Sequence, residues 1–283
     1  MRLPITVLVL TLNEELAIEN CLRSVENFNQ VIVIDSNSSD KTAEIARGLG
    51  IDVVNFSWNG KYPKKKQWAL ELSQIRNSWI LFLDADEIVT EKLRKEIQAF
   101  VLSLKHENFA AVEIPLEYYF LQSRLKHGHK VKKIALINRH KAMFPIVDDL
   151  SVMNMWEVEG HYQPIFEGRL KRMKSPLKHM DPDGLYDYFA RHNRYSDWEA
   201  EVGINDELAK SVRRNRTRQG RVYDRLPFKP FAFFLYSYIL RCGWLDGSAG
   251  FNYAVALSFY YWQISVKRKE RLKRAKTLNI QIS

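Results

Sequence analysis

The chain has 283 residues, 46% of them hydrophobic, and a net charge of +10 from 43 Lys and Arg against 33 Asp and Glu. This is enough for one large or two smaller domains with a real core, and the basic excess points to anionic partners: nucleotide, nucleic acid or an anionic membrane surface. Cys21 and Cys242 lie far apart, which excludes a disulfide framework or a cysteine metal cluster and fits a reducing compartment. The first apolar run is short and is broken by Asn13-Glu14-Glu15, so it does not read as a signal peptide.

In chain order, Ile5 to Thr11 is a β-branched apolar run and is expected to be a buried strand. Asn13 follows as an N-cap, and Ile18, Cys21, Leu22 and Val25 trace one face of a helix. Val31 to Ile34 is the second strand, ending at Asp35. The polar turn Ser36 to Asp40 leads into a helix carrying Ala43, Ile45, Ala46 and Leu49, which stops near Gly48 and Gly50. Ile51 to Phe56 is a third strand. Pro63 and a Lys-rich turn open a helix through Trp68, Ala69 and Leu72. Trp79 to Leu83 contains no polar residue, as a strand buried on both faces requires, and it stops at Asp84-Ala85-Asp86-Glu87. Thr90 caps the next helix, with Leu93, Ile97 and Phe100 at helical spacing.

Four strand–helix units in about a hundred residues predict an α/β fold with a parallel sheet and crossover helices. The polar interruptions fall at strand ends: Thr11 to Glu14, Asp35 to Asp40, and Asp84 to Asp86. Parallel strands bring those ends to one edge, where ligands bind in such sheets. Asp84 and Asp86 supply carboxylate oxygens for a hard divalent cation that must also hold a diphosphate. No G-x-G-x-x-G follows the first strand and no G-x-x-x-x-G-K-[ST] occurs, which argues against a Rossmann dehydrogenase and a P-loop NTPase. Phosphate is then expected to be met by metal and by lysine, with Lys61, Lys64, Lys65 and Lys66 as the cationic supply.

The segments 7–15, 33–42 and 83–87, with Trp58-Asn59-Gly60 and Lys65-Lys66-Gln67-Trp68-Ala69-Leu70, resemble family 2 glycosyltransferases of the GT-A fold. The flavour is that of the bacterial lipopolysaccharide-core β-glucosyltransferase subgroup. The resemblance implies a nucleotide-sugar donor, a divalent cation (Mg2+ or Mn2+) and inversion at the anomeric carbon. It implies that Thr11, Asn13 and Glu14 line the nucleoside pocket, that Asp35 accepts a hydrogen bond from the base, and that Asp40 shapes that loop. It places Lys66 against the diphosphate, Asp84 near the ribose and metal, and Asp86 on the metal. A late histidine often completes the metal site in such enzymes, and His179 is the residue in that place.

Val112 to Tyr119 alternates as a half-buried strand, and Ile134 to Ile137 suggests another. His127 and His129, at i, i+2, are read as part of a polar loop. Inverting transfer needs a carboxylate to take the acceptor's proton. Glu157 and Glu159 alternate with apolar residues as if on one side of a strand, and Glu159, followed by Gly160, is the preferred base. Val158 stands where the subgroup usually has histidine.

Residues 1–182 are thus read as the GT-A catalytic domain and 183–283 as a helical, aromatic and basic region. Tyr186 to Glu199 is one long helical pattern, Arg213 to Arg225 is strongly basic, and Gly243 to Gly250 is a turn. The apolar stretch from Phe251 to Val266 ends in a Lys/Arg-rich run through Arg274. Neither late apolar run reaches the roughly 20 residues of a bilayer span. Their Tyr, Trp and flanking Lys/Arg favour a position in the headgroup region of an anionic membrane. The expectation is therefore an enzyme at the cytoplasmic face of the inner membrane, acting on a glycan or glycolipid acceptor and not on nucleic acid. The rivals are a nucleotidyltransferase, which lacks its Gly-rich signature here, and a basic adaptor protein, which leaves the strand-end carboxylates unexplained.

Overall fold

The computed structural model describes residues 2–103, 108–147, 149–152, 154–159, 163–205, 209 and 228–282. The basic stretch 213–225 and Gly160 lie outside them. The chain divides into two compact units. One comprises residues 1–124, 130–145 and 157–182, and the other 125–129, 146–156 and 183–283.

The first unit begins β1 (Leu3–Thr11), α1 (Ile18–Ser24), β2 (Phe28–Asp35), α2 (Thr42–Gly48), β3 (Asp52–Asn55), α3 (Lys65–Leu70) and β4 (Trp79–Asp84). It continues β5 (Glu87–Val89), α4 (Glu91–Ser103), β6 (Phe109–Phe120), β7 (Ser123–Arg124), β8 (Lys132–Asn138) and β9 (Ala142–Met143). It closes with β10 (Ile165–Phe166), β11 (Arg169–Arg172) and β12 (Leu177–His179). The main sheet runs in the order β3-β2-β1-β4-β8-β6-β12-β5. The first four strands are mutually parallel, and β8 is antiparallel to both β4 and β6. The parallel half follows the predicted strand–helix alternation.

Both faces of this half are covered, which is why its strands read as unbroken apolar runs. Val7, Val9, Val33, Leu81 and Leu83 pack with Ile18, Leu22, Leu93 and Ile97 on one side. Leu8, Leu10, Ile32, Ile34, Ile80 and Phe82 pack with Phe56, Leu70 and Phe144 on the other. Thr90 does cap α4, its Oγ1 accepting from Leu93 N at 3.2 Å.

Two local expectations fail. Asn13 is not an N-cap: it adopts the left-handed conformation, φ 58°, that Asn tolerates better than most residues. Its Oδ1 accepts instead from Ser39 N at 2.8 Å. Residues 155–159 form no strand, because the backbone there bonds to α3 (Lys65 N to Glu157 O, 2.8 Å) and not to a sheet neighbour. Glu87 to Val89 is a short strand antiparallel to β12.

The second unit holds α5 (Leu185–Val202), α6 (Lys229–Phe234) with a π-helical continuation to Leu240, a 3-10 turn at Gly243–Asp246, and α7 (Gly247–Ile282). The predicted turn thus ends at Gly247, and the last helix is 36 residues long. A Cβ on Gly250 would lie 2.1 Å from Gly243 O, so only glycine permits this approach of α7 to the preceding turn. Lys267 and Arg271 of α7 pair with Asp197 and Glu201 of α5 at 2.9 and 2.6 Å. Trp198 is 2% exposed and donates Nε1–H to Asp149 at 3.0 Å. His127 and His129 are held through their backbone N–H groups by Asp246 and Ser237. No helix of the described residues is long and apolar enough to cross a membrane.

Candidate active site

Register puts the carboxylates at one edge of the sheet. Thr11 of β1 is opposite Asp35 of β2, and Leu10 is opposite Asp84 of β4. Adjacent strands lie about 4.8 Å apart, so Asp35 and Asp84 end two strands separated by one, roughly 10 Å.

At the β1/β2 end the predicted residues form one network. Asp35 is 2% exposed, and its Oδ1 accepts from Thr11 Oγ1 (2.8 Å) and Ser38 Oγ (2.6 Å) while Oδ2 accepts from Ser38 N (2.8 Å). Glu14 N donates to Thr42 Oγ1 at 2.7 Å. Asp40 Oδ1 accepts from Thr42 N at 2.9 Å, and its Oδ2 from Glu15 N at 3.1 Å. The slight burial of Asp40 raises its pKa, but the Thr42 bonds outweigh that and the net shift is downward. The two loops therefore hold each other in place.

Lys65 joins them. Its side chain is buried, and Nζ donates to Thr11 O (2.8 Å) and Ser36 Oγ (2.5 Å), with Glu157 Oε1 at 3.7 Å. Burial lowers its pKa to about 8, against the pull of Glu157 and Asp35. Ser36 Oγ donates to Glu157 Oε1 in a very short hydrogen bond. Lys66 Nζ reaches Glu159 O at 3.2 Å and lies over the Phe144 ring.

At the β4 end, Asp84 Oδ2 is 3.1 Å from Lys133 Nζ, which also donates to Glu87 Oε2. Glu87 Oε2 accepts from Asp84 N at 3.0 Å as well. Burial opposes ionisation of Asp84, but Lys133 and Lys66 prevail and hold it well below the usual carboxylate range. Glu87, 1% exposed at its side chain, is pushed by burial up to about 7 although Lys133 opposes this. Burial disfavours the Lys133 ammonium, but Asp84 and Glu87 together raise its pKa.

Asp86 faces His179, the last residue of β12, with Nδ1 to Oδ2 3.3 Å. Met180 N donates to Asp86 O at 2.9 Å and fixes the approach. Burial works against the imidazolium, but Asp86 raises the His179 pKa to about 9. The Nδ1 atom is buried and makes no well-aligned hydrogen bond. Two adjacent ligands of an octahedral ion at about 2.1 Å stand about 3 Å apart, so the Asp86–His179 spacing fits a shared cation. Among the described residues no group of three or more His, Cys, Asp and Glu is placed to hold an ion. Asp86 and His179 could offer a cation a two-ligand partial shell that a diphosphate completes.

Lys133 and Glu87 went unassigned in the sequence, and Lys65 was one of four lysines in the cationic supply. Lys133 could have been found from register: β4 pairs antiparallel with β8, Leu81 with Leu136, and three steps on Lys133 faces Asp84. Four lysines in six residues gave no means of choosing Lys65 as the one turned inward.

Glu159 is 1% exposed. Its Oε2 accepts from Lys66 N (2.8 Å) and its Oε1 from Gln67 N (3.0 Å). Burial raises its pKa, and the amides of Gln67 and Lys66 oppose that. Glu157 has a side chain 22% exposed.

The Glycosyl transferase family 2 model matches residues 6–155, more than half the chain. The chain belongs to glycosyltransferase family 2. This glycosyltransferase is 39% identical over 113 residues to an uncharacterized glycosyltransferase of Rickettsia bellii, which covers 40% of this chain and 37% of that relative. It is 26% identical over 280 residues to the lipopolysaccharide core biosynthesis glycosyltransferase LpsC of Rhizobium meliloti, covering 95% of this chain and 93% of LpsC. Among solved structures, the Pyrobaculum calidifontis mannosyltransferase PcManGT, in complex with GDP-Man and Mn2+, superposes with a TM-score of 0.53 at 16% identity. That match takes in 95% of this chain and 87% of PcManGT, and it shows the fold: a GT-A sheet flanked by helices, followed by a helical region.

Proposed function

We propose that this glycosyltransferase moves a hexose, with inversion, from a nucleoside-diphosphate sugar to a glycan or lipid-linked glycan acceptor in lipopolysaccharide or related cell-envelope synthesis. The observation that carries this reading is the alignment of Asp35, Thr11 and Asp84 along one sheet edge with the Asp86–His179 pair at its end. Residues 1–182 are the catalytic part in this reading. The nucleoside lies against Thr11, Asn13, Glu14 and Asp35, in a pocket whose loops Asp40 braces. Lys66 meets the diphosphate from α3. Asp86 and His179, with Asp84 nearby, would hold Mg2+ or Mn2+. When bound, such a cation offsets the charge that develops on the leaving diphosphate.

The acceptor's proton is assigned to Glu157 in preference to Glu159, since Glu157 is the partly exposed member of the pair. Similarity to LpsC along nearly all of the chain supports the cell-envelope acceptor.

A peripheral position at the cytoplasmic face of the inner membrane belongs to the same proposal. Phe251, Val255, Phe259, Trp262 and Val266 are each 41–50% exposed and recur along one stripe of α7. Lys267 to Arg274 follows directly, the combination that draws an interfacial helix to anionic lipid.

A panel of nucleotide sugars, assayed for transfer and hydrolysis with Mn2+ or Mg2+, tests the reading. Cation-dependent release of a nucleoside diphosphate from one donor is expected. Release of pyrophosphate from a nucleoside triphosphate and a sugar phosphate would favour a nucleotidyltransferase instead.

A further inference from the structure

Residues 157 and 159 are both fastened to the start of α3. Lys65 N donates to Glu157 O at 2.8 Å, Lys66 N to Glu159 Oε2 at 2.8 Å, and Gln67 N to Glu159 Oε1 at 3.0 Å. Lys66 Nζ returns to Glu159 O at 3.2 Å. On the far side, Glu157 accepts from Ser36 Oγ and lies 3.7 Å from Lys65 Nζ. One short segment thus ties α3 to the end of β2, across more than ninety residues of chain.

We infer that Glu159 is a positioning residue for the donor site: its carboxylate fixes the backbone of Lys66 and Gln67, and so sets where Lys65 and Lys66 present their ammonium groups. The inference rests on the donor-site reading proposed above. A general base must come within hydrogen-bond reach of the proton that it takes. Glu159 is 1% exposed and each of its oxygens already accepts an amide, so its geometry serves the backbone and not an acceptor hydroxyl. Hydrogen bonds to an ionised carboxylate are among the strong ones, and both would be weakened together by loss of its charge. Lys65 sits beside this anchor, with its amide on Glu157 O and its ammonium on Thr11 O and Ser36 Oγ.

The test compares Glu159→Gln with Glu157→Gln in steady-state transfer, varying donor and acceptor separately. For Glu159→Gln the donor KM should rise about tenfold, with kcat within a few-fold of wild type and an unchanged pH profile of kcat. A fall in kcat of about a hundredfold or more with donor KM unchanged would make Glu159 a proton carrier, and no change in either constant would remove it from the donor site. Either result overturns the inference. Hydrogen exchange of the peptide spanning residues 64–70 decides the matter independently of turnover. In the wild type the Lys66 and Gln67 amides should be protected, and Glu159→Asp, whose shorter side chain cannot reach both, should expose them. Equal exchange in the two proteins overturns the inference. Because this readout needs no donor, failure of the glycosyltransfer reading would leave it standing, and the two failures are distinguishable.

Discussion

His179 Nδ1 stands 3.3 Å from Asp86 Oδ2, at the point where β12 runs beside β5. The histidine arrives there because β12 pairs on one side with β5, His179 opposite Glu87, and on the other with β6, His179 opposite Tyr118. The Tyr118 ring packs edge-on against the imidazole, with centroids 4.6 Å apart. Sheet register therefore brings a late histidine to the acidic end of β4, and the aromatic contact limits its rotation.

Lys133 is the counter-charge of this corner. Lys133→Met leaves Glu87, 1% exposed, without its cation and should destabilise the protein by about 3–5 kcal/mol in urea unfolding. Replacing Glu87 with Leu in the same background should recover much of the loss, since the unpaired buried charge is then gone. Additive losses would show that the two side chains act separately.

Lys65 gives a pH dependence of defined sign. Its pKa is lowered to about 8 by burial, from an ordinary 10.5. Between those values the unfolded chain binds more protons than the folded one, so this group makes stability rise with pH. Its penalty is fully present below about pH 8 and is relieved by about pH 10.5. The difference in unfolding free energy between wild type and Lys65→Met should therefore shift by about 1–3 kcal/mol in favour of wild type across that window. A flat difference would contradict the buried, depressed lysine.

Much of the parallel half was legible because its strands are buried on both faces. Val7 to Leu10 and Ile80 to Leu83 have no polar residue to break the run, and Asp35 and Asp84 mark where the strands end. The antiparallel half was less so. Nothing local in Lys132-Lys133-Ile134 says that one lysine turns inward, since that follows from pairing with β4, a strand fifty residues away. The fate of Glu159 was equally hidden. Alternation with Val158 suggested a strand face, but the segment's hydrogen bonds go to α3. Asn13 was misread because capping residues and left-handed turn residues are the same types.

Packing predicts a simple contrast. Leu83 is fully buried between β1 and the helices on its face, so Leu83→Ala should cost about 2–5 kcal/mol. Leu16, 73% exposed, should lose less than about 0.5 kcal/mol on the same change. Chemical denaturation of the two variants checks this.

The aromatic stripe of α7 should matter for lipid and not for folding. Phe259→Ser with Trp262→Ser is expected to lower co-sedimentation with vesicles containing phosphatidylglycerol at least severalfold, with little change in Tm. Neutral phosphatidylcholine vesicles should bind the wild type more weakly, and added salt should weaken binding to the anionic ones. Self-association lost in the double variant, with vesicle binding unchanged, would assign the stripe to a second copy of the chain.

In the proposed function, strand-end carboxylates would gather a cation that grips a diphosphate. Calorimetric titration of UDP and GDP into the protein, with and without Mn2+, measures it directly in the wild type and in Asp86→Ala. At least one nucleotide should bind the wild type at least tenfold tighter with Mn2+, and Asp86→Ala should abolish that gain while leaving the Tm within a few degrees. Equal Mn2+ enhancement in both proteins, or none in the wild type for either nucleotide, would contradict the account.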